Sequence, residues 1–217
     1  MLNLAENSFG IIALVFFMAF LPLIAVTVTA FAKIAIVLMI VRNATGLQNL
    51  PPNVVMYGLA IILSAYIAFP MVSDSFERVQ NTVPAFETAE DWMKAGEEGS
   101  APLKEFLKKH ADEKQTAFFL SSTRKIWGDK YADDATPDDL VILVPSFLLS
   151  ELTKAFEIGF LLFLPFIAID IIVTTVLIAL GMMMVPPSTI AIPFKLMLFV
   201  FVEGWSKIVQ GLLLTYA

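Results

Sequence analysis

An all-α protein of the membrane type is what this sequence predicts: four apolar helical segments forming two hairpins, with a small hydrophilic helical insert between them. Three observations carry that reading. Of 217 residues, 58% are hydrophobic and 16% charged, against about half and about a quarter in soluble domains. Residues 9–32 and 54–73 are uncharged for 24 and 20 residues, enough for a helix to cross an ~30 Å hydrocarbon core. The net charge of −6 resides in residues 74–139, which hold 15 of the 20 acidic and 9 of the 14 basic side chains. The chain therefore divides into an amino-terminal hairpin (1–73), an acidic insert (74–139) and a carboxy-terminal hairpin (140–217).

Each element follows from local pattern. Residues 9–32 form the first apolar segment, with Pro22 expected to kink it near Phe20 and Leu21. Residues 1–10 contain no Lys or Arg, so the segment is expected to be retained rather than cleaved as a leader. Lys33 continues an apolar helix through Val41. Gly46 and the Pro51-Pro52 pair then end one helix and aim the next, which is expected to close at Pro70. In the insert, Leu103, Phe106 and Leu107 give an i, i+3, i+4 stripe within a helical piece over 103–120, followed by another over 121–127. Phe118, Phe119 and Trp127 are expected to pack beside the stripe, and residues 96–100 are the expected flexible point. Residues 136–139 resemble a cap for the next helix. Residues 140–180 form a third long segment, bent near Pro165, and 190–216 a fourth. The positive-inside rule places the Arg42 loop in the cytoplasm and the acidic insert on the opposite face.

Few residues suggest chemistry. With no cysteine there is neither a disulfide nor a thiolate metal site, and His110 is the single histidine, in a charged stretch that reads as a solvated helix face. No phosphate-binding glycine loop, zinc-binding histidine pair or nucleophile elbow is found. The sequence thus predicts a protein that is not an enzyme and needs no cofactor, metal or nucleic acid.

The informative stretch is 145–187, membrane-grade in hydropathy yet carrying Glu151, Lys154, Glu157 and Asp170. A charge facing lipid costs about 2.5–3.5 kcal/mol on insertion scales, so such groups face protein or a wet cavity. Glu151, Lys154 and Glu157 fall on one helical stripe, compatible with a local ion pair or with contacts between subunits. Met182, Met183 and Met184 lie between Gly181 and the Pro186-Pro187 pair. Three successive residues on a helix face three directions, so this run reads as a loop of pliable apolar side chains, either filler or a seal.

Two blocks of motif resemble the SctR/FliP family of type III secretion export-apparatus proteins. One runs from Lys33 to Leu38, from Arg42-Asn43-Ala44-Thr45-Gly46-Leu47 to Asn53, and on through Tyr57-Gly58-Leu59-Ala60; Thr45 stands where the family usually carries leucine. The other contains Pro145-Ser146-Phe147, Ser150-Glu151-Leu152-Thr153-Lys154-Ala155-Phe156-Glu157, Leu164-Pro165-Phe166, Asp170, Gly181 to Pro187, Pro193-Phe194-Lys195 and Gly204-Trp205. Arg42-Asn43 and the expected retention of the first segment, with no convincing signal peptide, resemble the virulence (injectisome) branch more than the flagellar one.

The resemblance implies a core subunit of the export gate in the bacterial inner membrane, passing unfolded substrate proteins out of the cytoplasm. It further implies a pentamer joined by SctS-like and SctT-like subunits inside the secretion-system rings, with hairpins lifted above the bilayer plane and a periplasmic insert. In that family a methionine-rich loop forms a gasket, and Met182, Met183 and Met184 match it. Glu151, Lys154, Glu157 and Asp170 become intersubunit or buried contacts; Gly46, Pro51, Pro52, Pro165, Gly181, Pro186 and Pro187 shape the hairpins. The competing expectation is a secondary transporter with Asp170 or Glu157 as coupling carboxylate, for which the two dissimilar hairpins offer no internal repeat.

Overall fold

The computed structural model describes residues 15, 19–20, 22–47, 49–82, 88–182 and 184–217. Among them every regular element is helical: α1 (Pro22–Val28), α2 (Phe31–Ala44), α3 (Asn53–Thr82), α4 (Ala89–His110), α5 (Glu113–Trp127), α6 (Asp129–Ala132), α7 (Leu140–Ala179), α8 (Pro187–Phe201) and α9 (Gly204–Leu214). The all-α expectation is met. Helices α3 and α7 are each long and apolar enough to cross a membrane, and the bent pairs α1–α2 and α8–α9 are so when taken together.

The centre of the fold is the seam between α2 and α7. Ile34, Val37, Leu38 and Val41 follow the i, i+3, i+4, i+7 spacing and are fully buried, so α2 presents one continuous apolar stripe. Across from it α7 offers small residues, Ala155 and Gly159. A Cβ on Gly159 would lie 2.4 Å from Ile40 Cδ1, so the two backbones approach as only glycine permits. Where such a seam lies in lipid, close packing rather than release of water supplies its stability.

The second apolar segment does not close at Pro70 as expected. A break falls at Thr29-Ala30, where α1 and α2 meet at 79°; the kink expected near Phe20 and Leu21 involves Leu21, which lies outside the described residues. Helix α3 runs through Pro70 to Thr82, and α7 runs as one 40-residue helix through Pro145 and Pro165. An interior proline removes only one donor, and neighbouring packing in apolar helices compensates. At ~1.5 Å per residue α7 is about 60 Å long, twice the hydrocarbon thickness. Part of it must stand outside a bilayer.

The insert folds back on the hairpins. Residues 96–100, expected as a flexible point, are helical within α4, and Gly99 sits against Val79 of α3, where a Cβ would lie 3.0 Å from Cγ2. A reciprocal Thr88–Asp91 capping box starts α4. The single helical piece expected over 103–120 is broken at Ala111-Asp112, where Asp112 caps α5 by accepting from Lys114 N at 2.8 Å. Leu107 is fully buried against Leu143 and Phe147, as the stripe requires. Phe118 and Trp127, expected beside it, are exposed on α5.

The turn after α7 is a Schellman motif. Met182 N donates to Leu177 O at 2.9 Å and Gly181 N to Ile178 O at 3.0 Å, with Gly181 at φ +74°. Pro187 then opens α8 at its first turn, where a missing donor costs nothing. Helices α8 and α9 bend by 58° around Glu203, which adopts a left-handed conformation at φ 54°. Gly204 permits the bend, since a Cβ there would meet the Phe199 ring at 2.3 Å.

Candidate functional site

Glu151 is fully buried near the middle of the molecule, and its partner comes from the other hairpin. Lys33 Nζ lies 3.3 Å from Oε1 and 3.2 Å from Oε2. The Tyr216 hydroxyl donates to Oε2, and the Lys33 ammonium sits 3.6 Å from the centroid of the Tyr216 ring. Three distant segments, α2, α7 and the residues after α9, thus converge on one carboxylate. The charge is hidden inside the protomer, and the ring face adds a cation–π contact in a desolvated setting.

Lys154, one turn on, is 4.0 Å from Glu151 Oε1 and donates to the carbonyl of His110 at 2.8 Å, a cation capping the carboxy-terminal end of α4. Asp112 N donates to Ser150 Oγ at 2.8 Å. Through these two bonds the α4–α5 corner is hooked onto α7. Glu157 is exposed, with no ion pair among the described residues.

His110 corrects the sequence reading. It is buried rather than a solvated helix face, with ring centroids 4.8 Å from Phe106 and 5.0 Å from Tyr216. Burial first, then the charges of Lys109, Lys33 and Lys154, push its pKa down to about 4. The folded state therefore favours the neutral ring, and the unfolded chain, at about 6.5, takes up the proton first. The contribution of His110 is complete above about pH 6.5 and is lost as pH falls toward about 4, with a slope of at most about 1.4 kcal/mol per pH unit. His110→Gln should flatten that part of the stability curve, as measured by thermal melts of the detergent-solubilised protein; an unchanged slope would assign the pH dependence elsewhere.

A second ion pair closes the carboxy-terminal hairpin. Lys195 Nζ of α8 donates to Asp170 Oδ2 of α7 at 2.7 Å, with the lysine buried and the carboxylate partly open. Both line a cleft of about 680 Å³ with Gly46, Asn49, Ser188 and Thr189, so the loop between α2 and α3 lies beside the base of the methionine turn. That loop is held by Arg42, which donates to Asn53 Oδ1 and to Pro51 O. The Leu50-Pro51 bond is cis, and Pro52 O accepts the first amides of α3. At the turn itself Met182 is exposed and Met184 is 99% exposed, flanked by Gly181, Pro186 and Pro187; Met183 lies outside the described residues. Among the described residues no group of three His, Cys, Asp or Glu side chains could hold a metal ion.

Lys33, Tyr216, His110 and Lys195 complete these centres and were not singled out as site residues from sequence. Lys33 carried a signal, being the one cation inside the first apolar block, but Glu151, Glu157, Asp170 and Glu203 were all candidate partners. Tyr216 carried none, since its partner lies 65 positions away.

Apolar helices long enough to span, buried charges paired internally and an exposed apolar turn define an integral membrane protein of the helical-hairpin class. Residues 14–212 match the FliP family. The chain is 50% identical to "Probable translocation protein y4yL" of Sinorhizobium fredii, across 95% of this chain and 93% of that one. It is 45% identical to "Yop proteins translocation protein R" of Yersinia pestis across 97% of both, and 39% identical to "Virulence protein YscR" of Salmonella typhimurium across the whole of both. The chain belongs to the FliP family, and the relatives it resembles are translocation and virulence proteins, as the injectisome-like motifs led one to expect.

Proposed function

We propose that this protein is a core pore-forming subunit of a virulence-type III secretion export apparatus in the bacterial inner membrane, through which unfolded proteins leave the cytoplasm. It acts as a homo-oligomer, with a pentamer implied by resemblance, beside SctS-like and SctT-like subunits within the secretion-system rings, and its acidic insert faces the periplasm. It carries out no chemical step and uses no cofactor. Near full-length similarity to translocation proteins supports the class.

The observation that carries the gate is the methionine turn. An apolar tip with Met184 wholly exposed is unfavourable in water and favourable when tips from several copies meet, since unbranched methionine adapts to an irregular contact. The Schellman turn sets the tip at the end of α7, and the Asp170–Lys195 pair holds the two arms below it. Replacing Met182, Met183 and Met184 with alanine should raise ion conductance of the assembled complex in planar bilayers while leaving its assembly intact. Unchanged conductance in correctly assembled particles would remove the gasket from the proposal; particles lacking a central pore on imaging would remove the proposal itself.

A further inference from the structure

Outside the acidic insert the described chain has nine charged side chains, and six of them find partners within the protomer: Lys33, Glu151 and Lys154 in the buried centre, Arg42 in its loop, and Asp170 with Lys195. Glu157, Glu203 and Lys207 have neither an ion pair nor a side-chain hydrogen bond among the described residues, and all three are exposed. Glu203 stands four residues before Lys207 at the start of α9, yet the two are not paired. An unpaired acid and an unpaired base on otherwise apolar helices are each costly where water is excluded.

Their surroundings match. On α7, Glu157, Phe160, Leu161 and Leu164 share one face by their i, i+3, i+4, i+7 spacing, and all are exposed. On α9, Lys207, Gln210, Gly211 and Leu214 have the same spacing and are exposed too; a Cβ on Gly211 would meet nothing within 4 Å. One stripe is bulky and headed by an acid; the other is slim, headed by a base, and has a gap where a large apolar side chain could enter.

They also lie at one level. Glu151 sits beside Tyr216 and Asp170 beside Lys195, so the arms run antiparallel. Glu157 is about 9 Å along α7 from the Glu151–Tyr216 level, and Lys207 is at most about 13 Å from it at ~1.5 Å per residue; the inclination of α9 reduces that difference. Two copies side by side, related by rotation about an axis along the hairpin, can bring one stripe onto the other without sliding.

We infer that the α7 face headed by Glu157 docks on the α9 face headed by Lys207 of a second copy of this chain, with the Glu157–Lys207 ion pair fixing the register between neighbours. The contact joins different patches, so it is heterologous and repeats into a ring or a helical turn rather than closing as a dimer. This inference rests on the homo-oligomeric reading of the proposed function.

The chain has no cysteine, which makes the test direct. In the full-length complex, Glu157→Cys with Lys207→Cys under mild oxidant should yield a ladder of cross-linked copies on non-reducing gels, while each single variant yields none. Separately, Glu157→Lys or Lys207→Glu should lower the fraction of chain found in the particle at least about tenfold, as for loss of one partner of a desolvated pair, and the double exchange should recover most of it; Glu203→Gln should leave it unchanged. No ladder from particles that assemble normally, a cross-link to a different protein, or no rescue by the double exchange overturns the inference. Absence of any particle from the wild-type chain overturns the oligomeric reading instead.

Discussion

Glu151→Ala is expected to destabilise the protomer by about 3–5 kcal/mol, because it leaves the Lys33 ammonium buried without its counter-charge. Lys33 and Glu151 are both almost fully buried, so solvent cannot take over the lost contact. Tyr216 loses its acceptor as well, adding the cost of an unmet hydroxyl, about 1–3 kcal/mol. The carboxy-terminal residues and α2 should loosen together. Thermal unfolding of the detergent-solubilised protein, with limited proteolysis near Tyr216, measures both effects. Lys33→Met combined with Glu151→Met should recover much of the loss, since an apolar pair of similar volume can replace a buried ion pair. Tyr216→Phe, which removes only the hydroxyl, should cost less than Glu151→Ala. A melting temperature unchanged by Glu151→Ala would show that the centre contributes nothing to stability.

The second large effect is steric. Gly159→Val should separate α2 from α7, because a Cβ at that position lies 2.4 Å from Ile40 Cδ1, 3.2 Å from Cγ2 and 3.3 Å from Cβ. The terminal methyl could rotate away, but the Ile40 Cβ is tied to the backbone. Overpacking of this kind costs about 1–3 kcal/mol, and valine, with two further methyl groups, belongs at the upper end. Ile40→Ala should partly rescue it. Gly58→Ala is the control: it lies in α3 with nothing within 4 Å, and the exchange should stabilise by about 0.5–1 kcal/mol. Equal melting of Gly159→Val and the unaltered protein would refute a tight seam.

Much of the architecture was legible in the chain because hydropathy and helical period are local. The burial of Ile34, Val37, Leu38 and Val41 follows from their spacing alone, and Gly181 with Pro186 and Pro187 marked the methionine turn. One interior proline misled, because a proline removes a single donor without having to end the helix. Pro70 read as a stop, yet α3 continues through it to Thr82, and α7 stays one unbroken helix through Pro165. Gly99 read as part of a flexible point, yet it is helical within α4 and admits Val79. His110 looked solvated from its charged neighbours, and only the approach of Phe106 and Tyr216 buried it.

The sequence by itself determined the class of the protein, an all-helical membrane type with an acidic insert, together with its family motifs and its methionine turn. Those properties depend on composition and on residues within a few turns of one another. Tertiary structure decided where the charges go. Glu151 meets Lys33 across 118 positions and Asp170 meets Lys195 across 25, while Glu157 and Lys207 form no ion pair among the described residues. Pairing at such range follows from which helices pack together, and packing is a property of whole faces rather than of neighbours along the chain.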